Sequence, residues 1–131
     1  MSRAAQHAAD ARYYRTLGGR ASRLLASAKR RAIVTVDRAW VVERLQLGRC
    51  QRTAKRFVLE SGRGVHPFAP SLDRINPKGD YTPENTQLVC WQYNAAKSTF
   101  TDPDVVRFAR AVIDVAEGRL DPTTGFYKEI D

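Results

Sequence analysis

Two cysteines in 131 residues exclude most thiol chemistry from the outset. Cys50 and Cys90 each stand alone, and the positions that would complete Cys-x-x-Cys pairs hold Thr53 and Tyr93, so a four-thiolate zinc site is absent. Isolated thiols of this kind read as reduced, buried small hydrophobes of a cytosolic protein. Nor is there an apolar run near the roughly 20 residues that cross a bilayer, which removes the membrane as a partner. The N-terminus has no apolar signal core; its Ala, Arg and Ser content weakly suits a transit peptide, but Asp10 and a helical character argue against one. The expected location is the cytoplasm.

Acidic residues are scarce in the first half. Residues 1–60 hold 14 Lys and Arg against 4 Asp and Glu, while residues 61–131 hold 8 against 10. The net charge of +8 is therefore a basic front joined to a near-neutral back, which suits a polyanionic partner. Nucleic acid is the expected partner; a basic surface kept for solubility is the bland alternative. With 43% hydrophobic residues the chain can bury a modest core, and its length suits one compact domain.

Patterning divides that domain into three stretches. In residues 1–60, Ser2 to Thr16 reads as a helix fraying at its start, and Gly18-Gly19 as a break. Ala21 to Ala32 reads as a helix with Leu24, Leu25 and Ala28 on one side. Lys29, Arg30 and Arg31 lie around the other side, where they can follow a phosphate backbone. Thr35 is the expected N-cap of a helix over Val36 to Leu47, stopped by Gly48. In residues 101–131, Asp102 is the expected cap of a helix with Pro103 at its first position. Val105, Phe108, Ala109, Val112, Ile113 and Ala116 recur at helical spacing and read as core. Gly118 ends that helix, and the tail from Arg119 is expected to be loosely ordered.

The stretch between, residues 61–100, carries the chemistry. Leu72 and Ile75 bracket Asp73 and Arg74 in a short strand. Asn76-Pro77-Lys78-Gly79-Asp80 breaks it, since Pro cannot donate to a ladder and Gly supplies unusual backbone angles. Leu88-Val89-Cys90 is a second short strand, and Trp91 to Ser98 a helix with Asn94 and Lys97 one turn apart on one face. An acid on the first strand and an amide on the helix can hold one divalent metal against a phosphodiester. The fold class is expected to be α+β.

This stretch resembles the ββα-metal core of the HNH endonucleases, in particular small proteins common in phage genomes. The likeness rests on Ser71-Leu72-Asp73-Arg74-Ile75, on Gly79-Asp80-Tyr81-Thr82-Pro83-Glu84-Asn85, and on Leu88-Val89-Cys90 with Asn94-Ala95-Ala96-Lys97. It implies a β-hairpin and helix surrounded by N- and C-terminal helices, with Arg49 to Leu59 as a lead-in hairpin. There Cys50 and Phe57 would point inward and Arg52, Lys55 and Arg56 outward, toward nucleic acid. The implied activity is metal-dependent hydrolysis of double-stranded DNA in a bacterial cytoplasm. Asp73 and Asn94 would bind Mg²⁺ or Mn²⁺, with no zinc expected, Asn85 would tie the loop down, and Lys97 would contact a phosphate.

The chain departs from that family at one place. Its general base is a His directly after the first-strand acid, and here Arg74 stands there. A guanidinium keeps its proton and cannot activate water, though it can hold a phosphate or stabilise a transition state. His66, the one histidine near the motif, is the candidate base; Tyr81 and Tyr93 are weaker ones, and a loop His without a role is the plain alternative. A different class also fits: a catalytically inactive protein of this fold that binds DNA or a protein partner.

Overall fold

Alternation along two short strands sets the centre of the fold. β1 (Pro70–Arg74) and β2 (Thr86–Cys90) run antiparallel, with Ser71 opposite Val89, Leu72 opposite Leu88 and Asp73 opposite Gln87. Residues directly opposite share a face, so Leu72 and Leu88 point one way while Ser71, Asp73 and Gln87 point the other. The computed structural model describes residues 2–5, 16–59 and 65–129. Among these the class is α+β, the hairpin standing among helices. Most of the helix expected over residues 2–16 lies outside the described residues, apart from one turn at Arg3–Ala5.

Two helices cover the apolar face. From α1 (Leu17–Lys29) come Ala21, Leu25 and Ala28, and from α2 (Arg38–Leu47) come Val41 and Leu45. They pack with Val36, Leu72, Tyr81 and Leu88 into the main core. Each such Leu or Val, fully buried, contributes on the order of 1.5–3 kcal/mol. Cys50, Val89 and Cys90 form a smaller cluster against Phe57, Phe68 and Tyr93, and both cysteines are free thiols.

Several boundaries differ from those the sequence suggests, each because a tertiary partner competes. Gly18-Gly19 is not a break: Thr16 caps α1, its Oγ1 accepting from Gly19 N at 3.0 Å, and both glycines lie in the first turn. A Cβ on Gly18 would lie 2.3 Å from an Arg38 nitrogen, and Arg38 Nε donates to the Gly18 carbonyl at 3.1 Å. Glycine there leaves room for the Arg38 guanidinium. Asp37 rather than Thr35 caps α2, accepting from Trp40 N at 2.8 Å. Thr35 N is drawn instead to the Tyr81 carbonyl at 2.9 Å, beside a parallel bridge between Val34 and Tyr81. Gly48 ends α2 in the left-handed region at φ 75°. Between Arg49 and Leu59 the lead-in hairpin shrinks to one antiparallel bridge, Arg49 to Arg56. Cys50 is buried there while Lys55 and Arg56 are exposed.

The last two helices lie beyond the hairpin. α3 (Trp91–Lys97) follows β2 without a loop, and α4 (Asp102–Ala116) follows α3. Thr101, not Asp102, caps α4 in a capping box with Asp104, which leaves Asp102 free to turn inward. The apolar stripe of α4 is not core: Phe108 is 66% exposed, and Val112 and Ile113 are exposed beside it. α3, at seven residues, is too short to cover a fifteen-residue neighbour. The tail is held rather than loose, since Arg119 and Tyr127 both bond Asp114 and Leu120 bridges Tyr127. No helix among the described residues is long and apolar enough to cross a membrane.

Candidate functional site

Two periodicities meet on the polar face of the hairpin. Ser71 and Asp73, two apart on β1, share a face, and so do Asn94 and Lys97, three apart on α3. Asn94 Nδ2 donates to Ser71 Oγ at 2.7 Å and to the Leu72 carbonyl at 3.4 Å. Lys97 Nζ donates to Asp73 Oδ2 at 2.6 Å.

Lys97 is therefore not the surface phosphate contact the sequence suggests. It is 0% exposed, and its three protons are spent on Asp73 and on the Arg74 and Ile75 carbonyls, at 2.9 and 3.2 Å. Asp102 Oδ1 lies 3.3 Å away. Two carboxylates and two carbonyls enclose the ammonium much as oxygen ligands enclose a metal. Gln87 Nε2 joins the two acids, 2.9 Å from Asp73 Oδ2 and 3.2 Å from each Asp102 oxygen. The Tyr93 hydroxyl donates to Asp102 at 2.5 Å, and Arg52 Nη2 stands 3.5 Å from the same carboxylate. Burial works to raise the Asp102 carboxyl, but the Tyr93 hydroxyl, Lys97 and Arg52 outweigh it and hold it below its ordinary range. Burial and the bond to Asp102 push the Tyr93 phenol up to about 12, which keeps it protonated at neutral pH and without the phenolate that a general base needs.

Beside this network opens a polar cavity of about 100 Å³, lined among others by Arg31, Asp73, Arg74, Tyr81, Asn94 and Ser98. Arg74 is pinned at its wall: Nη1 donates to the Gly79 carbonyl at 3.1 Å, and the guanidinium stands over the Tyr81 ring at 5.3 Å. Arg31 reaches the cavity from just beyond the end of α1. Asp73 Oδ1 and Asn94 Oδ1 take no hydrogen bond among the described residues. One carboxylate oxygen and one amide oxygen suit a cation that keeps most of its water, such as Mg²⁺ or Mn²⁺. Among the described residues no cluster of three or more His, Cys, Asp or Glu could hold a metal by itself. Water, or water with a phosphate oxygen, would complete the coordination.

The other candidate residues lie elsewhere. His66 does not line the cavity; its Nδ1 accepts from Phe68 N at 3.0 Å and its ring tilts against the Phe68 ring. Asn85 braces the loop, accepting from Asn76 N at 2.8 Å and donating to the Asn76 and Asp80 carbonyls at 3.1 and 2.9 Å. Its amide sits so close to Gly79 that a Cβ there would lie 2.8 Å away. Lys29, Arg30, Lys55 and Arg56 are exposed outside the cavity, and Arg52 is turned to Tyr93 and Asp102. Gln87 and Asp102 were missed as partners of Asp73 in the sequence. Only the β1–β2 register could have pointed to Gln87; Asp102 gives no signal beyond a helix start. Comparison with protein-family models, with curated proteins and with solved structures finds no match to this chain.

Proposed function

We propose that this chain is an HNH-type endonuclease with a ββα-metal core, binding a DNA phosphate at the Arg31–Arg74 cavity and hydrolysing the phosphodiester with a divalent metal. The observation that carries this reading is that one cavity joins Asp73 and Asn94, the two expected ligands, to the guanidinium groups of Arg31 and Arg74. Asp73 and Asn94 would hold Mg²⁺ or Mn²⁺ through their unbonded oxygens. When bound, such a metal stabilises charge on the phosphoryl group and acidifies water.

The chain's own residues supply the rest. Arg31 and Arg74 neutralise the non-bridging phosphate oxygens and hold them against the cavity wall. Ser71 Oγ and the Leu72 carbonyl accept from Asn94 Nδ2, which leaves its Oδ1 unbonded. Lys97 and Gln87 fix the Asp73 carboxylate through Oδ2. The setting we infer is cytoplasmic, with double-stranded DNA as the substrate.

One observation favours a second reading, a DNA- or protein-binding module that does not cut. Among the residues lining the cavity there is no histidine, and Asp73 already carries the Lys97 ammonium. Plasmid nicking with Mg²⁺, with Mn²⁺ and with EDTA, on wild type beside Asn94→Ala, separates the two. Cleavage that needs metal and disappears in Asn94→Ala supports the nuclease. A wild type that binds duplex DNA yet never nicks under either metal would leave only the binding module.

A further inference from the structure

A second cavity, of about 220 Å³, runs along α1 and shares Arg31, Leu72 and Tyr81 with the first. Arg20, Arg23 and Ser27 recur along one face of α1, and Arg31 continues the row past the helix end. Across from them stand Ser71 of β1 and Trp91, the first residue of α3. The remaining wall is apolar, with Leu24, Ala28 and Val65.

That mixture says which nucleic acid would fit. A duplex presents phosphates outward and keeps its bases stacked inside, so it has nothing to offer an apolar wall. An unpaired nucleotide has both parts, an anion for the guanidinium groups and an apolar π-face for an aromatic ring. Trp91 is 44% exposed and lines the cavity, so part of the indole is open to it, and its backbone amide is fixed to the Ala69 carbonyl at 2.8 Å. Trp40, the other tryptophan, differs: it packs against the main core, with the Arg44 guanidinium 3.4 Å from its ring. Arg20 is held in place by donating Nη2 to the Leu59 carbonyl at 2.6 Å, while its buried Nε has no partner among the described residues.

We infer that this groove takes an unpaired nucleotide of a single strand, its base stacked on Trp91 and its phosphate on Arg20, Arg23 and Arg31. The inference rests on the nucleic-acid reading above and narrows it: the strand that reaches the Asp73–Asn94 cavity is splayed out of its duplex next to the phosphate held there. Arg31, common to both cavities, grips the phosphate between the two.

The test uses the full chain with Trp40→Phe, which leaves Trp91 as the sole indole. Oligothymidylate should quench its emission, and should bind more tightly than a hairpin duplex of equal charge. Trp91→Ala should weaken oligothymidylate binding by roughly 5- to 150-fold, the effect of losing one base stack, while Trp91→Tyr keeps most of the affinity. Arg23→Gln should lower the slope of log affinity against log salt by about 0.7, the single-strand value for one phosphate contact. Trp91 emission that ignores saturating oligonucleotide, or a Trp91→Ala variant that binds as wild type, overturns the inference even if plasmid nicking persists. Conversely, quenching and the Trp91→Ala loss in a protein that never nicks would uphold the groove and reject the nuclease.

Discussion

Lys97 Nζ lies 2.6 Å from Asp73 Oδ2 at the bottom of the polar face, with the lysine wholly shut off from water. The pair ties α3 to β1, and through Asp102 it ties both to the start of α4. A buried ion pair of this kind is weak evidence for net stability, but removing one partner strands the other's charge. Its place beside the cavity makes it a support for the Asp73 carboxylate.

Removing that ammonium should therefore be costly. Lys97→Met is expected to destabilise the fold by about 3–5 kcal/mol, because Asp73 and Asp102 are left buried and facing each other. Lys97→Met combined with Asp102→Asn should recover part of the loss. Urea unfolding midpoints measure both, and a single variant as stable as wild type would show that the pair contributes nothing.

The same network sets the pH limits of the fold. Asp102 titrates below its ordinary value in the folded protein, so its contribution is present above the unfolded pKa of roughly 4 and is lost as pH falls through the lower folded value. Tyr93 has the opposite sign. Its folded pKa is raised to about 12, so its contribution is complete below the unfolded value of roughly 10 and is lost as pH climbs toward the folded one. Phenolate absorbance should show late-titrating tyrosines, since Tyr127 is also raised by its bond to Asp114, and Tyr93→Phe should remove the latest step. An unchanged titration curve in that variant would assign the late step elsewhere.

Metal binding should register without any cleavage. If Mn²⁺ binds the folded state at Asp73 and Asn94 as proposed, it should raise the melting temperature of wild type, with no rise in Asn94→Ala. His66→Ala should respond like wild type. In any nicking assay it should also keep its rate within a few-fold, whereas loss of a general base costs roughly 10²–10⁴-fold. A drop of that size would mean the His66 loop swings into the cavity when substrate binds.

Core and stripe should separate in thermal or chemical unfolding. Leu88 is fully buried in the main core, and Leu88→Ala is expected to cost about 2–5 kcal/mol. Phe108→Ser, at an exposed position on α4, should stay within about 0.5 kcal/mol. A large loss from Phe108→Ser would place α4 against something in the folded protein.

Much of the motif was legible one residue at a time. Short apolar stretches broken by the Pro-Gly loop marked Leu72 to Ile75 and Leu88 to Cys90 as strands, though the first ends at Arg74 and leaves Ile75 exposed. Helical spacing marked Trp91 onward as a helix ending within a residue of its observed end. Gly48 was legible as a stop because a left-handed residue closes a helix whatever surrounds it. These signals depend on neighbours a few positions away, so the chain carries them locally. The resemblance to the HNH core also brought Asp73 and Asn94 to one site, but the contact of Lys97 with Asp73 was not among these signals.

Burial was not legible, because it depends on which element arrives from elsewhere. The α4 stripe looks like core by its period, yet α3 is too short to cover it. Thr35 looks like a cap, yet the Tyr81 carbonyl claims it. Asp102 looks like a cap too, yet Thr101 takes that place and frees it for the buried network. Lys97 carries the charge of a phosphate contact, and only the approach of Asp73, Asp102 and two carbonyls turns it into an internal cation. The amino-acid sequence determined the local elements and the polarity of each face, since those follow from spacing along the chain. The tertiary structure alone decided which charges meet water, since an ammonium withdraws from solvent only where enough oxygens converge to replace it.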